Sequence, residues 1–312
     1  MKPYYRASTL ERTARDLKTL ERDLRSLKQQ GRVRSLEPKE IGEQAIRELL
    51  VYWQARPSRT GTPLDGSTTA HYLNTLGNLL AWCENPVLDL MRRKRHVRFP
   101  KQQGKPIRVL GPEDLDRLRR AADSLEGWRG STARFLVAFL PASGLRPKEI
   151  RLARLKDLDL ATWTISVAHP KGEGAWAPAG NVAPILPSAQ QATLDYLEER
   201  KAFLAGTDHE ALLPFRRWDG PLDYWPEASL RKLKGEIVRA SGVRFSLKTL
   251  RATFAQLAKD HGAPIEAVSR ALRHGSTKTT ETYYARIRPA DAFAELRRVF
   301  ETPQVRLVPK TS

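Results

Sequence analysis

The sequence predicts a mainly α-helical protein with one small β-hairpin or sheet, an α+β fold built in two blocks. Three observations carry that expectation. Apolar residues recur at three- and four-residue steps over most of the 312-residue chain, the spacing of helices with one buried stripe. Two short runs, residues 162–168 and 181–186, are alternating or β-rich instead. The stretch from Arg92 to Arg108 holds Arg92, Arg93, Lys94, Arg95, Arg98, Lys101, Lys105 and Arg108 with no acid, and Gly104 and Pro106 interrupt it. It reads as a basic linker between two domains, and the length suits about two.

Leu10, Leu17, Leu20, Leu24 and Leu27 mark one face of a helix over residues 8–30, which Gly31 ends. Pro38 suits the first position of a second helix, whose buried face is Ile41, Ala45, Leu49 and Trp53. The turn-rich segment 55–67 leads to a third helix over 67–82 that buries Tyr72, Leu76, Leu79 and Leu80. Asn85-Pro86 stops it. Residues 1–98 are thus expected to form a small helical domain, with 99–110 as linker.

The second block, 111–302, opens on Gly111-Pro112-Glu113-Asp114, an acidic first turn that complements the helix dipole. A buried helix over 132–142 contains Phe135, Leu136, Phe139 and Leu140 and stops at Ser143-Gly144. Pro147 starts another, so Arg146 sits in a tight turn between two packed helices. The two expected strands are joined by KGEGAWAPAG, with Lys171 at its start. Helical patterns then run to the end, over about 189–204, 226–240, 247–261, 264–272, 276–284 and 290–300. Ser276 or Thr277 is the expected N-cap of the fifth. Residues 303–312 form a tail with Val305, Leu307 and Val308, expected to dock elsewhere.

Fifty-four Lys and Arg against 35 Asp and Glu give a formal charge of +19, the balance of a polyanion binder. The longest apolar run, FLVAFLPA, is far too short to span a bilayer. No apolar signal core follows the start, and the single Cys83 excludes an internal disulfide or a thiolate zinc cluster. A cytoplasmic, polyanion-binding protein with no membrane partner is the expectation. The chain has no GxxxxGK[ST] loop and no convincing acidic metal cluster, so neither ATP, metal nor another cofactor is expected.

Four pieces carry chemistry: GLRPKEI at Gly144, Lys171 in the hairpin, LKTLRATFA at Leu247, and ALRHGSTKTTETYYARI at Ala271. In this order and spacing they resemble the tyrosine recombinase, or phage integrase, family. The matches are Arg146 in the TGLRxxEL-like motif, Lys171 in the hairpin, and Lys248 with Arg251 in the His-or-Lys-x-x-Arg pair. His274 matches the LGH motif, and Tyr283 lies nine residues later. The resemblance covers about 111–300 by motif and 10–98 by organisation only. It implies a helical, SAM-like core-binding domain that clamps DNA opposite a catalytic domain, with the basic linker lying along phosphates so that the two close as a C-shaped clamp.

The same resemblance implies a site-specific recombinase that cuts and rejoins double-stranded DNA through a 3′-phosphotyrosine. Arg146 and Arg251 would bracket the scissile phosphate, where planar, permanently charged guanidinium groups suit developing charge. His274 and Lys248 would add donors, Lys171 would protonate the leaving 5′-oxygen, and Tyr283 would be the nucleophile. Tyr284 and His169 are neighbouring alternatives, and Glu149 reads as an orienting partner. Four protomers would assemble on two sites through a Holliday junction, with room for an accessory directionality factor and a tail that packs on a neighbour. Two departures stand out: LGH is LRH here, with Arg273 for Gly, and the first His of HxLRH is Lys248, as in archaeal integrases. A type IB topoisomerase is the alternative enzyme, and a non-cleaving DNA-binding regulator of the same fold the alternative outside the class.

Overall fold

A computed structural model describes residues 7–57, 61, 64–94, 97–100, 108–170, 181–218, 220–274, 277–283, 293 and 297. The chain divides into two compact units, Met1–Gly104 and Lys105–Ser312.

In the first unit, α1 (Ala7–Gln29), α2 (Glu43–Ala55), α3 (Gly66–Trp82) and α4 (Val87–Lys94) enclose one apolar core. Leu20, Leu24, Leu27, Ile46, Leu49, Trp53, Leu73, Leu76 and Leu88 are buried in it. Leu10 is exposed, so the stripe of α1 begins only with half-buried Leu17. Asp23 is buried and accepts hydrogen bonds from Trp53 Nε1 at 3.0 Å and from Arg56. Pro38 opens a single 3-10 turn, and α2 starts later with Gly42 as its N-cap. Asn85-Pro86 ends α3 but also founds α4, because Asn85 Oδ1 accepts from the Val87 N–H at 3.0 Å. Arg92, Arg93 and Lys94 therefore lie on the last turn of a helix and not in an irregular linker.

The second unit contains α5 (Pro112–Asp123), α6 (Gly127–Ser143), α7 (Pro147–Arg151), α8 (Gln190–Leu204), α9 (Glu227–Ser241), α10 (Leu247–Asp260), α11 (Ile265–Ala271) and α12 (Thr277–Tyr283). Helix α6 is its centre and packs against α5, α8 and α10. Apolar side chains surround α6 (Phe135, Leu136, Val137, Phe139 and Leu140), so its sequence lacks a polar face.

Strands β1 (Leu158–Asp159), β2 (Thr164–Ser166) and β3 (Val182–Pro184) form an antiparallel sheet in sequence order. Ile165 pairs with Leu158 on one side and Ala183 on the other. Strands β4 (Pro214–Arg216) and β5 (Leu222–Tyr224) make a second antiparallel hairpin. From the sequence only helices are expected after residue 189, and these three-residue strands are too short to show an alternating period. The expected helix 290–300, apart from residues 293 and 297, and the tail 303–312 lie outside the described residues. Among the described residues, no helix is long and apolar enough to cross a membrane.

Candidate active site

The site is assembled where three chain turns meet: the α6–α7 turn, the first half of α10, and the turn after α11. Helix α6 ends at Gly144, which has φ +62°. A Cβ there would stand 2.7 Å from Phe254 Cδ1 and 3.0 Å from Leu272 Cδ2, so both backbone conformation and space demand glycine. Two residues later Arg146 is the N-cap of α7, in extended conformation. Its backbone N–H donates to Glu149 Oε2 at 2.8 Å and its Nη1 to Glu149 Oε1 at 2.6 Å. The Arg146 side chain keeps 24% exposure, whereas that of Glu149 keeps 2%.

Arg251, in the second turn of α10, is 1% exposed. Its Nη1 donates to the Gly144 carbonyl at 2.5 Å, and its Nη2 to the Leu272 carbonyl at 2.5 Å. One guanidinium therefore ties the α6–α7 turn to the turn that follows α11. Its Nη1 also stands 3.8 Å from Glu149 Oε2.

Arg251 Nη2 lies 3.1 Å from His274 Nε2, and His274 Nδ1 lies 2.7 Å from Thr280 Oγ1. A guanidinium only donates, so Nε2 accepts and Nδ1 carries the proton, donating it to Thr280. Burial, then the charges of Arg251, Arg146 and Arg273, depress the imidazole pKa to about 4 against an ordinary 6.5. His274 is thus a neutral acceptor in this arrangement. Thr280, fully buried on α12, escaped the sequence reading. Its signal was position: six residues after His274 and one helical turn before Tyr283.

Arg273 takes the left-handed conformation, φ +56°. Its Nη1 donates to the Ala271 carbonyl at 2.9 Å and its Nη2 to Glu149 Oε2 at 2.7 Å. Burial is the largest influence on Glu149 and would raise its pKa. The charge of Arg273, the Arg146 N–H, and the charge and side chain of Arg146 outweigh it, and the carboxyl is held below its usual range.

The structure thus brings together Arg146, Arg251 and His274, with Glu149, Arg273 and Thr280 around them. Lys248 is exposed on the first turn of α10, and among the described residues no hydrogen bond or ion pair joins it to this cluster. Tyr283 is the last residue of α12. Its side chain, Tyr284 and Lys171 lie outside the described part, although β2 and β3 flank the segment that begins with Lys171. Of the expected phosphate-contacting cations, Arg93, Lys94 and Arg98 are exposed. Arg92 bonds Asn74 at 3.0 Å, and Arg108 pairs with Asp114 at 2.8 Å. Arg95, Lys101 and Lys105 lie outside the described residues.

Residues 108–289 match the model of the phage integrase family. Over 195 residues the chain is 29% identical to tyrosine recombinase XerD of Caulobacter vibrioides, covering 61% of each protein. It is 29% identical over 206 residues to tyrosine recombinase XerC of Bacillus licheniformis, covering 64% of this chain and 62% of that one. The match therefore spans about three fifths of the length of these two relatives. Among solved structures, XerH recombinase bound to palindromic difH substrate in a post-cleavage complex superposes with a TM-score of 0.63 at 19% identity, over 92% of this chain and 77% of that one. A λ integrase (75–356) dimer on a COC′ core site gives 0.58 at 14% identity, over 92% and 94%. Both share the fold with this chain.

Proposed function

The chain belongs to the phage integrase family, and from that premise we propose that it is a site-specific DNA recombinase acting through a tyrosine–DNA covalent intermediate. The observation that carries the reading is the convergence of Arg146, Arg251 and His274 from three separate segments of the chain. A phosphodiester repels nucleophiles, and displacement at phosphorus builds negative charge on the non-bridging oxygens. A preorganised cationic pocket stabilises that charge, each donor being worth about 10²–10³ in rate.

In this reading the Tyr283 phenol attacks phosphorus as its proton passes to water. The Oη–P bond forms and the P–O5′ bond breaks, leaving a 3′-phosphotyrosine. Lys171 gives a proton to the departing 5′-oxygen. A 5′-hydroxyl later attacks the same phosphorus and releases the phenol, so one ester replaces another with no need of ATP. Arg146 is the more accessible guanidinium, 24% exposed against 1% for Arg251, and makes the direct phosphate contact. Arg251 acts from beneath, fixing both turns and the imidazole. A phosphate anion among these groups favours the imidazolium, whose Nε2 then gives up the Arg251 hydrogen bond and donates to the phosphate. Lys248 reaches the DNA from the helix surface.

Residues 1–98 grip the duplex, 99–110 follow its phosphates, 111–302 carry the chemistry, and 303–312 contribute to a four-protomer synapse. The reaction takes place on DNA in the cytoplasm. The test uses two plasmids bearing candidate sites from the protein's own genetic element, and one plasmid with none. Recombinant joints on the paired sites, lost in Tyr283→Phe, support the recombinase. Relaxation of the site-free plasmid would favour a topoisomerase instead. Binding without any strand cleavage, unchanged by Tyr283→Phe, would identify a DNA-binding regulator.

A further inference from the structure

We infer that Arg273 is a positioning residue: its guanidinium grips Glu149 and, through that one carboxylate, holds Arg146 in the orientation the scissile phosphate requires. The inference rests on the reading of Arg146 as the phosphate contact.

The backbone makes Arg273 an unexpected choice. At φ +56°, a residue with a Cβ carries a steric cost that glycine avoids. The side chain is only 5% exposed, so it is turned into the protein and is not itself a second surface cation for DNA. What it does instead is visible in its donors. Nη1 closes on the Ala271 carbonyl at 2.9 Å, within its own turn, and Nη2 crosses to Glu149 Oε2 at 2.7 Å, on another helix.

Glu149 has a 2% exposed side chain, and a carboxylate so buried needs cationic or hydrogen-bonding partners on both oxygens. Oε1 takes Arg146 Nη1 at 2.6 Å. Oε2 takes the Arg146 N–H at 2.8 Å together with Arg273. Arg273 therefore anchors the oxygen that Arg146 meets through its backbone, and leaves the other oxygen to orient the Arg146 fork. Without Arg273 the carboxylate keeps Arg146 but gives up its hydrogen bond to the turn that precedes His274, and Arg251 stands back at 3.8 Å. The carboxylate is then held by Arg146 alone, so its Oε1 and the Arg146 side chain bonded to it lose their tie to the second turn and can shift together. Small misplacements of a phosphate-binding group are expensive, about 100-fold for about 1 Å.

The test uses Arg273→Gly and Arg273→Asn in the full chain. Both residues tolerate the left-handed conformation and neither carries a charge. Two quantities are measured: the single-turnover rate of covalent adduct formation on a nicked site-bearing duplex at saturation, and the ¹⁵N heteronuclear NOE of Arg146 Nε–H in the protein without DNA. The expected result is a rate lower by about 10- to 100-fold, with DNA affinity within about twofold, and a reduced NOE at Arg146. Arg273→Lys keeps a cation beside Glu149 and should recover most of both. Combining Glu149→Gln with Arg273→Gly should be no slower than the slower single change, the mark of a shared network. A merely structural Arg273 would lower thermal stability and leave the Arg146 NOE and the saturated rate unchanged, and that result overturns the inference. If the unaltered protein forms no adduct at all, the recombinase reading fails, yet the NOE still decides whether Arg273 holds Arg146.

Discussion

A guanidinium with 1% exposure is an expensive thing to bury, and Arg251 meets that cost with two backbone carbonyls and an imidazole. Replacing it by alanine strands those acceptors. The expected loss is about 3 kcal/mol or more in urea unfolding of the second unit, together with loss of cleavage. A variant that unfolds at the same midpoint would show that Arg251 serves the phosphate alone. His274 gives a second residue-scale prediction. Its folded pKa of about 4 lies below the ordinary 6.5, so the unfolded chain takes up this proton first as pH falls. Stability should decline from about pH 6.5 and reach its full loss near pH 4. His274→Asn should flatten that part of the profile, measured as urea midpoints across the range. The loss owed to Glu149, whose pKa is lowered below the usual carboxyl range, comes at lower pH and would persist. The positions of Arg146, Arg251 and His274 were legible from motif spacing. That Arg251 turns inward and that Arg273 folds back onto Glu149 was not, because both depend on which carbonyls and carboxylates the tertiary fold places nearby.

Single elements are held by a few stereochemically demanding residues. Gly144→Ala should destabilise the second unit by roughly 1–3 kcal/mol, from the left-handed φ and the overlap with Phe254. Thermal unfolding checks it, and an unchanged midpoint would mean that α10 yields easily. Asn85 joins the start of α4 to the segment before α2, donating to the carbonyls of Pro38 at 2.8 Å and Ile41 at 2.9 Å. Asn85→Ala should cost the first unit about 1–3 kcal/mol, read from a urea midpoint. At this scale some long helices could be read from apolar periodicity, as α3 and α10 illustrate. Helix α4 was hidden because Pro86 reads equally as the end of one helix and the start of the next. Only the bond from Asn85 Oδ1 to the Val87 N–H decides between them. The β4–β5 hairpin was hidden by its brevity, although Asp219-Gly220 between its strands is a turn signal.

At the scale of the molecule, two units with separate cores share a chain of formal charge +19. Six of the eight cations between Arg92 and Arg108 belong to the first unit: Arg92, Arg93, Lys94, Arg95, Arg98 and Lys101. A fragment of residues 105–312 should therefore bind DNA more weakly and with a shallower salt dependence. The slope of log K against log salt should shrink by about 0.9 for each phosphate that the fragment no longer neutralises. An unchanged slope would place the first unit off the DNA. Covalent trapping shows whether this family member forms a bond to DNA through Tyr283. The protein is incubated with nicked DNA from its own genetic element, quenched with denaturant and digested, and the DNA-linked peptide is sequenced by mass spectrometry. The expected product is a nucleotide-bearing peptide modified at Tyr283, absent in Tyr283→Phe. Modification at Tyr284, or tight binding with no adduct at all, would contradict it.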